Sequence, residues 1–329
     1  MLIGVDSDFK GKAMKQMSEI KVAVLTGGIG EERSISLESG RNVAKALSES
    51  GVRVKAADIT PSNMKILDDE SIDVFFIAMH GKFGEDGQLQ SILEERLLVY
   101  TGSGSIASRL AFDKMASKEA FARAGVKVPK AVLLDGETDA STLKKVIGRE
   151  AGDKFVVKPL RQGSSVGVEI VCGIEETIEA GCRCMDKFGD CMIEEFIEGR
   201  EITVGILCGR VLPIIEIRTK NSFYDYQAKY VDDKTQFLFD TIEDAELKKS
   251  VERTAMKCFR SLGCKHFGRV DFIIGRDGVA MPLEINTIPG FTSHSLLPMA
   301  AARTGLSMSQ LCFKIIETAL HEHETSVRA

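Results

Sequence analysis

A segment near the carboxyl end, HFGRVDFIIGRDGVAMPLEINTIPGFTSHS at 266–295, constrains the fold of this chain most strongly. Its Asp277-Gly278 pair predicts a two-residue β-hairpin turn, because both central positions of a type I′ turn need positive φ. Side chains alternate faces along a strand, so four polar residues share one face in two cross-strand pairs: Asp271 with Glu284, and Arg269 with Asn286. The other face is apolar and holds Val270, Phe272, Leu283 and Ile285.

The polar face of this hairpin predicts a metal site. Two carboxylates directly opposed across a ladder repel each other and destabilise the sheet, and a cation between them removes that repulsion. Asp271, Glu284 and the amide oxygen of Asn286 together offer oxygen ligands, which suit Mg²⁺ or Mn²⁺ shared with substrate phosphates. The alternative is the solvated face of an edge strand, which Pro282 favours because proline cannot donate to a ladder.

Composition bounds the class of protein. A chain of 329 residues predicts two or three compact units. Its 44% hydrophobic and 28% charged residues are typical of a globular protein. The net charge of −5 argues against a nucleic-acid partner, and the absence of any apolar run of about 18 residues argues against a membrane span.

Two features bear on location. Residues 1–19 do not resemble an export signal, since Asp6 and Asp8 interrupt the apolar start, and we expect a poorly ordered leader there. The eight cysteines include no C-x-x-C pair, which indicates reduced thiols. Together these features predict a cytoplasmic protein.

Three units follow the leader. In 20–103, β-branched runs alternate with helical patterns, which predicts an α/β unit with a parallel sheet. The second unit, 104–198, contains a long helical stretch and then two strands joined by the loop QGSSVG. The third unit, 199–329, holds the opening hairpin, further strands and the last helices.

Candidate ligand-binding residues occur in the first unit. Glu32 follows the first strand in a glycine-rich loop, and His80 ends the third strand. Open α/β sheets bind ligands at the carboxyl edge of their strands, so both residues are placed for function. The alternatives are a solvated loop carboxylate and a structural histidine.

The second and third units add phosphate-binding candidates. Lys158 is the one cation in an apolar strand, where an unpaired ammonium is costly and an anionic ligand would explain it. QGSSVG could close over a polyphosphate as a lid, or form a plain hairpin turn. Glu194, in the strand sequence IEEF, could meet an adenine amino group. For Ser295, at a helix start, the alternative is capping.

These features occur together in an ordered set of motifs: GG-x-x-x-ER-x-x-SL, MHG-x-x-GEDG, DK-x-x-SK, VKP-x-x-QGSSVG, IEEF, FYDY-x-AKY, GRVDF, LEINT-x-PG and TSHSL-x-PMA. From Ile20 to the end, the chain resembles the D-alanine–D-alanine ligase family of the ATP-grasp superfamily. The resemblance implies a three-domain ATP-grasp fold, α/β overall and α+β in its nucleotide-binding part. Its domains would be the N-terminal parallel-sheet (preATP-grasp) domain at 20–103, the central subdomain at 104–198 and the catalytic subdomain at 199–329.

The resemblance also implies the reaction. ATP phosphorylates the carboxylate of one D-alanine, and the amine of a second D-alanine attacks the acyl phosphate to give a peptidoglycan precursor. A homodimer, ATP as substrate and two Mg²⁺ or Mn²⁺ ions are expected. The alternatives are D-serine or D-lactate as second substrate, and a non-catalytic nucleotide-binding protein, which would lack the metal ligands or Arg269. Tyr230 favours D-alanine, whereas Gln227 departs from the glutamate expected there.

The family roles carry over residue by residue. The catalytic group is Glu32, Ser164, Tyr230, Arg269 and Ser295, with Glu32 on the first ammonium. In the nucleotide group, Lys118, Lys158 and Lys229 would contact the phosphates. Glu194 and Ile197 would contact the adenine, and Glu201 would contact the ribose. The metal group is Asp271, Glu284 and Asn286. The remaining substrate contacts are His80 for the first D-alanine, and Gly290 and Leu296 for the second.

Overall fold

A computed structural model describes residues 19–135, 141, 153–219 and 235–328. Three sheets, one for each predicted unit, organise this part of the chain. The expected leader lies almost wholly outside the described residues. Within the described residues, no helix is both long and apolar enough to cross a membrane.

The first sheet is parallel, as the sequence predicts. Its strands are β1 (Lys21–Gly27), β2 (Arg53–Ile59) and β3 (Val74–Ile77), in the order β2-β1-β3. The accompanying helices are α1 (Arg33–Glu49), α2 (Gln88–Glu95) and a 3₁₀ turn (Lys65–Asp68). Strands β1 and β3 are almost fully buried, because helices and loops cover both faces of a parallel sheet.

The second sheet is antiparallel. It contains β4 (Ala131–Leu134), β5 (Lys154–Pro159), β6 (Glu169–Cys172) and β7 (Cys191–Glu195), in the order β4-β7-β5-β6. Helix α5 (Ile174–Phe188) covers one face, where Ala180 and Cys184 join Phe155 and Val157 in a small core. The other face, which carries Lys158, is left for a ligand.

The third sheet has six strands. They are β8 (Gly199–Leu207), β9 (Arg210–Val211), β10 (Ile215–Arg218), β11 (Gln236–Phe239), β12 (Phe267–Gly275) and β13 (Ala280–Asn286). The order is β11-β10-β8-β12-β13, with β9 paired to β8, so β13 is an edge strand as Pro282 indicates. Helix α6 (Ala245–Ser261), capped by Asp244, packs on this sheet.

Four more helices complete the described chain. They are α3 (Ser105–Phe112), α4 (Lys114–Arg123), α7 (Leu296–Arg303) and α8 (Met308–Arg328). Helices α3 and α4 precede the second sheet in sequence, but their side chains, including Phe121, pack into the core beneath β8 and β12. On α4, Lys114 contacts Glu284 of the third sheet, whereas Lys118 contacts Glu194 of the second.

The predicted pairing of the 266–295 hairpin is confirmed where it matters for the site. Arg269 pairs with Asn286, and Asp271 pairs with Glu284. The turn itself was predicted wrongly. Gly278 donates its N–H to the carbonyl of Gly275, and with φ of 74° it ends a three-residue loop.

A β-bulge compensates for that longer loop. The register shifts between Asp271 and Phe272, so Phe272 pairs with Pro282 and Leu283 is the extra residue. The prediction that Leu283 joins the apolar face is wrong, since it lines the same cleft as Asp271 and Glu284. The longer loop moves the strand pairing by one residue, and the bulge moves it back by one. Asp271 therefore still lies opposite Glu284.

The first and third units share one core. Val24 and Phe76 from the first sheet belong to the same buried cluster as Phe267 and Phe291. The ring of Phe291 makes edge contacts with Phe76 at 5.3 Å and with Phe267 at 5.8 Å between ring centres. Asn42 of α1 also donates to the carbonyl of Phe291 at 3.1 Å. The carboxyl edge of the first sheet is therefore fixed against the end of the hairpin.

Candidate active site

A small cavity of about 90 Å³ lies where the three units meet. Every described residue that the resemblance assigns to D-alanine binding lines it: Glu32, His80, Ser164, Arg269, Gly290, Ser295 and Leu296. These residues come from five separate segments, so the sequence order alone does not bring them together. Glu85, Lys114 and His294 line the same cavity and were not predicted.

Glu32 and Ser164 are directly joined. The hydroxyl of Ser164 donates a hydrogen bond to a carboxylate oxygen of Glu32, and both residues are buried. Two glycines make room for the carboxylate, since a Cβ on Gly81 or Gly163 would lie 2.6 or 2.7 Å from Glu32 Oε2. Ser164 and Ser165 have φ of 53° and 58°, left-handed values that serine rarely adopts.

His80 is a neutral, fully enclosed ring. Burial lowers the pKa of His80 to about 4, despite the raising effect of its hydrogen bond to Ile288. Nδ1 donates to the Ile288 carbonyl at 2.9 Å, which leaves Nε2 to accept from the Ser39 hydroxyl at 3.0 Å. Ser39 in turn accepts from the N–H of Phe291 at 3.1 Å. His80 therefore ties β3 to the segment after the hairpin and faces the cavity without a charge.

Arg269 and Asp271 form a two-point ion pair on the hairpin. Nε and Nη2 of Arg269 donate to the two Asp271 oxygens at 2.8 and 2.7 Å. The hydroxyl of Thr203 on β8 also donates to Asp271 at 2.5 Å. The paired geometry fixes the guanidinium, and the pair connects the two spaces, because Arg269 lines the small cavity and Asp271 lines a larger cleft.

The remaining predicted metal ligands lie beside Asp271. Lys114 Nζ is 3.4 Å from Glu284 Oε2 and also donates to the Gln162 carbonyl at 2.6 Å. The side-chain oxygen of Asn286 accepts from the N–H of Ile288 at 2.9 Å. Within the described ranges, no group of three or more His, Cys, Asp or Glu side chains is placed to hold a metal. The predicted set contains only two such residues, with an amide as third donor.

The larger cleft, of about 690 Å³, separates the second and third sheets. The predicted nucleotide residues along it are Lys158, Glu194, Ile197 and Glu201, and the metal candidates Asp271 and Glu284 form its inner end. Lys114 and Glu284 line both this cleft and the small cavity. The two spaces therefore adjoin at the hairpin.

A buried ion triad supports the cleft. The Glu194 carboxylate contacts the ammonium of Lys118 on one oxygen and that of Lys158, at 2.6 Å, on the other. Burial alone raises the pKa of Glu194, but the two ammonium groups hold it below its ordinary value. Burial lowers the pKa of Lys118, against the attraction of Glu194. Glu194 thus positions both lysines, a role that sequence reasoning missed because the partners lie on separate elements.

Ser295 does not cap its helix. It occupies the residue before α7, but its side chain makes no capping hydrogen bond. Its hydroxyl oxygen instead accepts from the N–H of Thr292 at 2.9 Å and lines the small cavity. A Cβ on Gly290 would lie 2.5 Å from this oxygen, so a larger residue there would displace the Ser295 hydroxyl.

Known proteins are similar to this chain in sequence. A family model described as D-ala D-ala ligase C-terminus matches residues 121–317. A D-alanine–D-alanine ligase from Methylacidiphilum infernorum is 40% identical over 297 residues, covering 90% of this chain and 94% of the relative. The chain belongs to the D-alanine–D-alanine ligase family.

Solved structures of D-alanine–D-alanine ligases agree with the fold. The enzyme from Bacillus anthracis complexed with ATP matches with a TM-score of 0.79 at 32% identity, over 93% of this chain and 99% of that one. The VanG D-Ala:D-Ser ligase from Enterococcus faecalis matches with a TM-score of 0.79 at 28% identity, over 92% and 99%. The ATP-grasp fold predicted from the motifs is thereby confirmed.

Two residues to which the family resemblance assigns a role lie outside the described part of the chain. Lys229 and Tyr230 fall in 220–234, outside the described residues, and so does Gln227. Their predicted roles toward the γ-phosphate and the second substrate stay predictions.

Proposed function

We propose that this protein joins two D-alanines into D-alanyl-D-alanine at the expense of ATP, through a D-alanyl phosphate, for peptidoglycan synthesis. One observation carries the proposal: a small polar cavity and a long cleft adjoin at Lys114 and Glu284, with Arg269 on the cavity side. An amino acid in the first can meet a nucleotide phosphate from the second there. Membership of the D-alanine–D-alanine ligase family supports both substrates.

The chemistry has two balanced steps. A carboxylate oxygen of the first D-alanine attacks the γ-phosphorus, the bond to the β-phosphate oxygen breaks, and ADP leaves. The amine of the second D-alanine then attacks the acyl carbon, loses a proton, and expels inorganic phosphate. Both steps depend on alignment and on neutralising negative charge more than on covalent help from the protein.

Individual side chains are assigned to these needs. Glu32 holds the first ammonium, and its hydrogen bond with Ser164 fixes its orientation. Arg269, held by two bonds to Asp271, stabilises charge that grows on the carbonyl oxygen and the transferred phosphoryl group. Ser295, with Gly290 and Leu296, receives the second D-alanine, whereas His80 lies near the first carboxylate as a neutral group.

The cleft residues are assigned to ATP. Lys118 and Lys158 are the proposed phosphate contacts, and their shared partner Glu194 holds the two ammonium groups together beside the cleft. Ile197 and Glu201 are the proposed adenine and ribose contacts. The adenine contact predicted for Glu194 stays a prediction, since both of its oxygens already contact lysines.

The hairpin carboxylates suit a divalent cation. Asp271 and Glu284 are paired across the ladder, both line the nucleotide cleft, and each already contacts a cationic side chain. Asn286 adds a third oxygen. We propose that these residues hold Mg²⁺ or Mn²⁺, with two ions expected, which would neutralise the ATP phosphates. A homodimer and a cytoplasmic location complete the proposal, and sedimentation of the purified chain tests the first of these.

D-Serine is the second candidate for the attacking amino acid, because the VanG D-Ala:D-Ser ligase is similar over most of its length. A phosphate-release assay across D-alanine, D-serine and D-lactate, each with and without Mg²⁺, separates the possibilities. We expect release that requires D-alanine and Mg²⁺ together, and a product of dipeptide mass. Robust release with L-alanine, or turnover indifferent to Mg²⁺, would overturn the assignment. Preferential capture of D-serine in direct competition would change only the second substrate.

A further inference from the structure

Glu85 is a buried carboxyl group in the small cavity that none of the roles above uses. It is 7% exposed and lies in the turn that follows His80, with Oε2 accepting the N–H of Gly81 at 2.7 Å. The same glycine packs against Glu32, whose Oε2 would lie 2.6 Å from a Cβ at that position. Two glutamate side chains therefore flank one glycine at the wall of the cavity.

Burial and the nearby Glu32 carboxylate favour the protonated form of Glu85. Burial first, and the neighbouring charge of Glu32 second, raise the pKa of Glu85 to about 8. The main-chain N–H groups of Gly81 and Ile288 and the charge of Arg269 oppose the rise without cancelling it. A carboxyl group with that pKa is mostly protonated at pH 7.

The other charged or titratable groups do not remove the repulsion. Those that line the cavity with Glu85 come from six separate elements or loops: Glu32, His80, Lys114, Arg269, Glu284 and His294. His80 has its pKa lowered to about 4 and so brings no charge at neutral pH. Arg269 is bound at two points to Asp271, and Lys114 contacts Glu284. Arg269 and Lys114 are therefore both paired with carboxylates that line the larger cleft.

We propose that Glu85 is a second carboxylate for the ammonium of the first D-alanine, and that it gives up its proton when that ammonium binds between it and Glu32. This rests on the proposed function, which places the ammonium at Glu32. An ammonium close to two carboxyl groups favours their ionised forms, so Glu85 loses its proton to solvent as the amino acid enters.

The sign of the resulting pH effect follows from linkage. Glu85 must ionise to receive the ammonium, so affinity for D-alanine rises with pH up to about the pKa of 8 in the free protein. The ionised fraction of such a group goes from about one-tenth at pH 7 to one-half at pH 8, so affinity rises about fivefold over that interval. The amino acid keeps its own ammonium throughout this range.

Calorimetric titration of the full-length protein with D-alanine tests the proposal. Runs at pH 7 in two buffers of different ionisation enthalpy give the number of protons released. We expect close to one proton per bound ammonium for the natural protein, and almost none for Glu85→Gln, which can still accept the Gly81 N–H. Glu85→Asp keeps a titrating carboxyl group and should retain the release. Glu95→Gln, exposed on α2, removes the same charge and should match the natural protein.

The outcomes are distinct. Equal proton release from the natural protein and Glu85→Gln, or no release from the natural protein, overturns the role of Glu85. Thermal melting of Glu85→Gln shows that any lost release comes from a folded protein. Phosphate release with D-alanine, Mg²⁺ and ATP is measured in parallel. If this turnover persists while the proton linkage is absent, the ligase function stands and only the second carboxylate fails.

Discussion

The hydroxyl of Ser164 donates a hydrogen bond to the carboxylate of Glu32 across 132 positions of sequence. Ser164 belongs to the loop between two strands of the second sheet, and Glu32 precedes the first helix of the first unit. One bond therefore connects the loop over the nucleotide cleft to the amino-acid cavity. In the proposed function, closure of the cleft and orientation of the first ammonium would depend on the same contact.

Gly163→Ala tests how tightly Glu32 is enclosed. The added Cβ would lie 2.7 and 2.9 Å from the two carboxylate oxygens, so the carboxylate must move away from the ammonium. We expect KM for D-alanine to rise about tenfold or more in steady-state assays. Gly30→Ala is the matched control, since its Cβ would meet its nearest neighbour, the Lys82 nitrogen, at 3.5 Å. Equal KM values in the two variants would contradict the enclosure.

Asp271→Asn and Glu284→Gln test the proposed cation site. Each removes a negative charge from the carboxylate pair while preserving side-chain size, so both variants should fold, with a lower melting temperature for Asp271→Asn because it loses its ion pair with Arg269. We expect kcat to fall by about 100-fold or more, because the ATP phosphates lose their counter-charge. Asp277→Asn, in the exposed hairpin loop, should keep natural rates. A near-normal rate in either of the first two variants would count against the cation site.

Glu194→Gln tests the buried ion triad. Removing this carboxylate leaves the ammonium groups of Lys118 and Lys158 buried without their common partner. We expect the free energy of unfolding in urea to fall by about 3 kcal/mol, with weaker ATP binding. Glu198→Gln breaks an exposed pair with Arg276 and should cost less than about 1 kcal/mol. Indistinguishable unfolding midpoints for the two variants would refute the structural role.

The buried, neutral His80 predicts an acid-dependent loss of stability. Its pKa is lowered to about 4 in the folded protein, whereas an unfolded histidine titrates near 6.5. Between these values the unfolded chain binds the proton more strongly than the folded protein does. The contribution of His80 to the free energy of unfolding therefore falls by about 1.4 kcal/mol per pH unit as the pH decreases. His80→Gln should flatten the denaturation profile across this window, and exposed His323→Gln should not. Parallel profiles for His80→Gln and the natural protein would be the contrary result.

The 266–295 hairpin shows which features the local sequence pattern predicts and which it does not. Alternation and the Asp-Gly turn signal predicted that Asp271 opposes Glu284, and the pairing is as predicted. The longer loop and the bulge at Leu283 were not predictable, because each is a one-residue adjustment that leaves the local composition unchanged. Only packing of the hairpin against β8 and its cleft determines on which side Leu283 lies.

The site shows the same division. Glu32, His80, Arg269 and Ser295 stand out in sequence because each is a polar residue in a context that favours ligand contact. Glu85 belongs to the motif MHG-x-x-GEDG, but the sequence indicated no role for it, since an acidic residue in a glycine-rich loop is ordinarily solvated. Its burial comes from contacts with segments that are distant in sequence, and burial is what changes its pKa.

The sequence by itself determined the strands and helices, the polar face of the hairpin and the family, because periodicity, turn residues and ordered motifs are local properties. The tertiary structure alone decided which charges meet: Lys118 and Lys158 at Glu194, and Glu85 beside Glu32. The physical reason is that ionisation depends on desolvation and on nearby charge, and both are set by long-range packing rather than by neighbours in the chain.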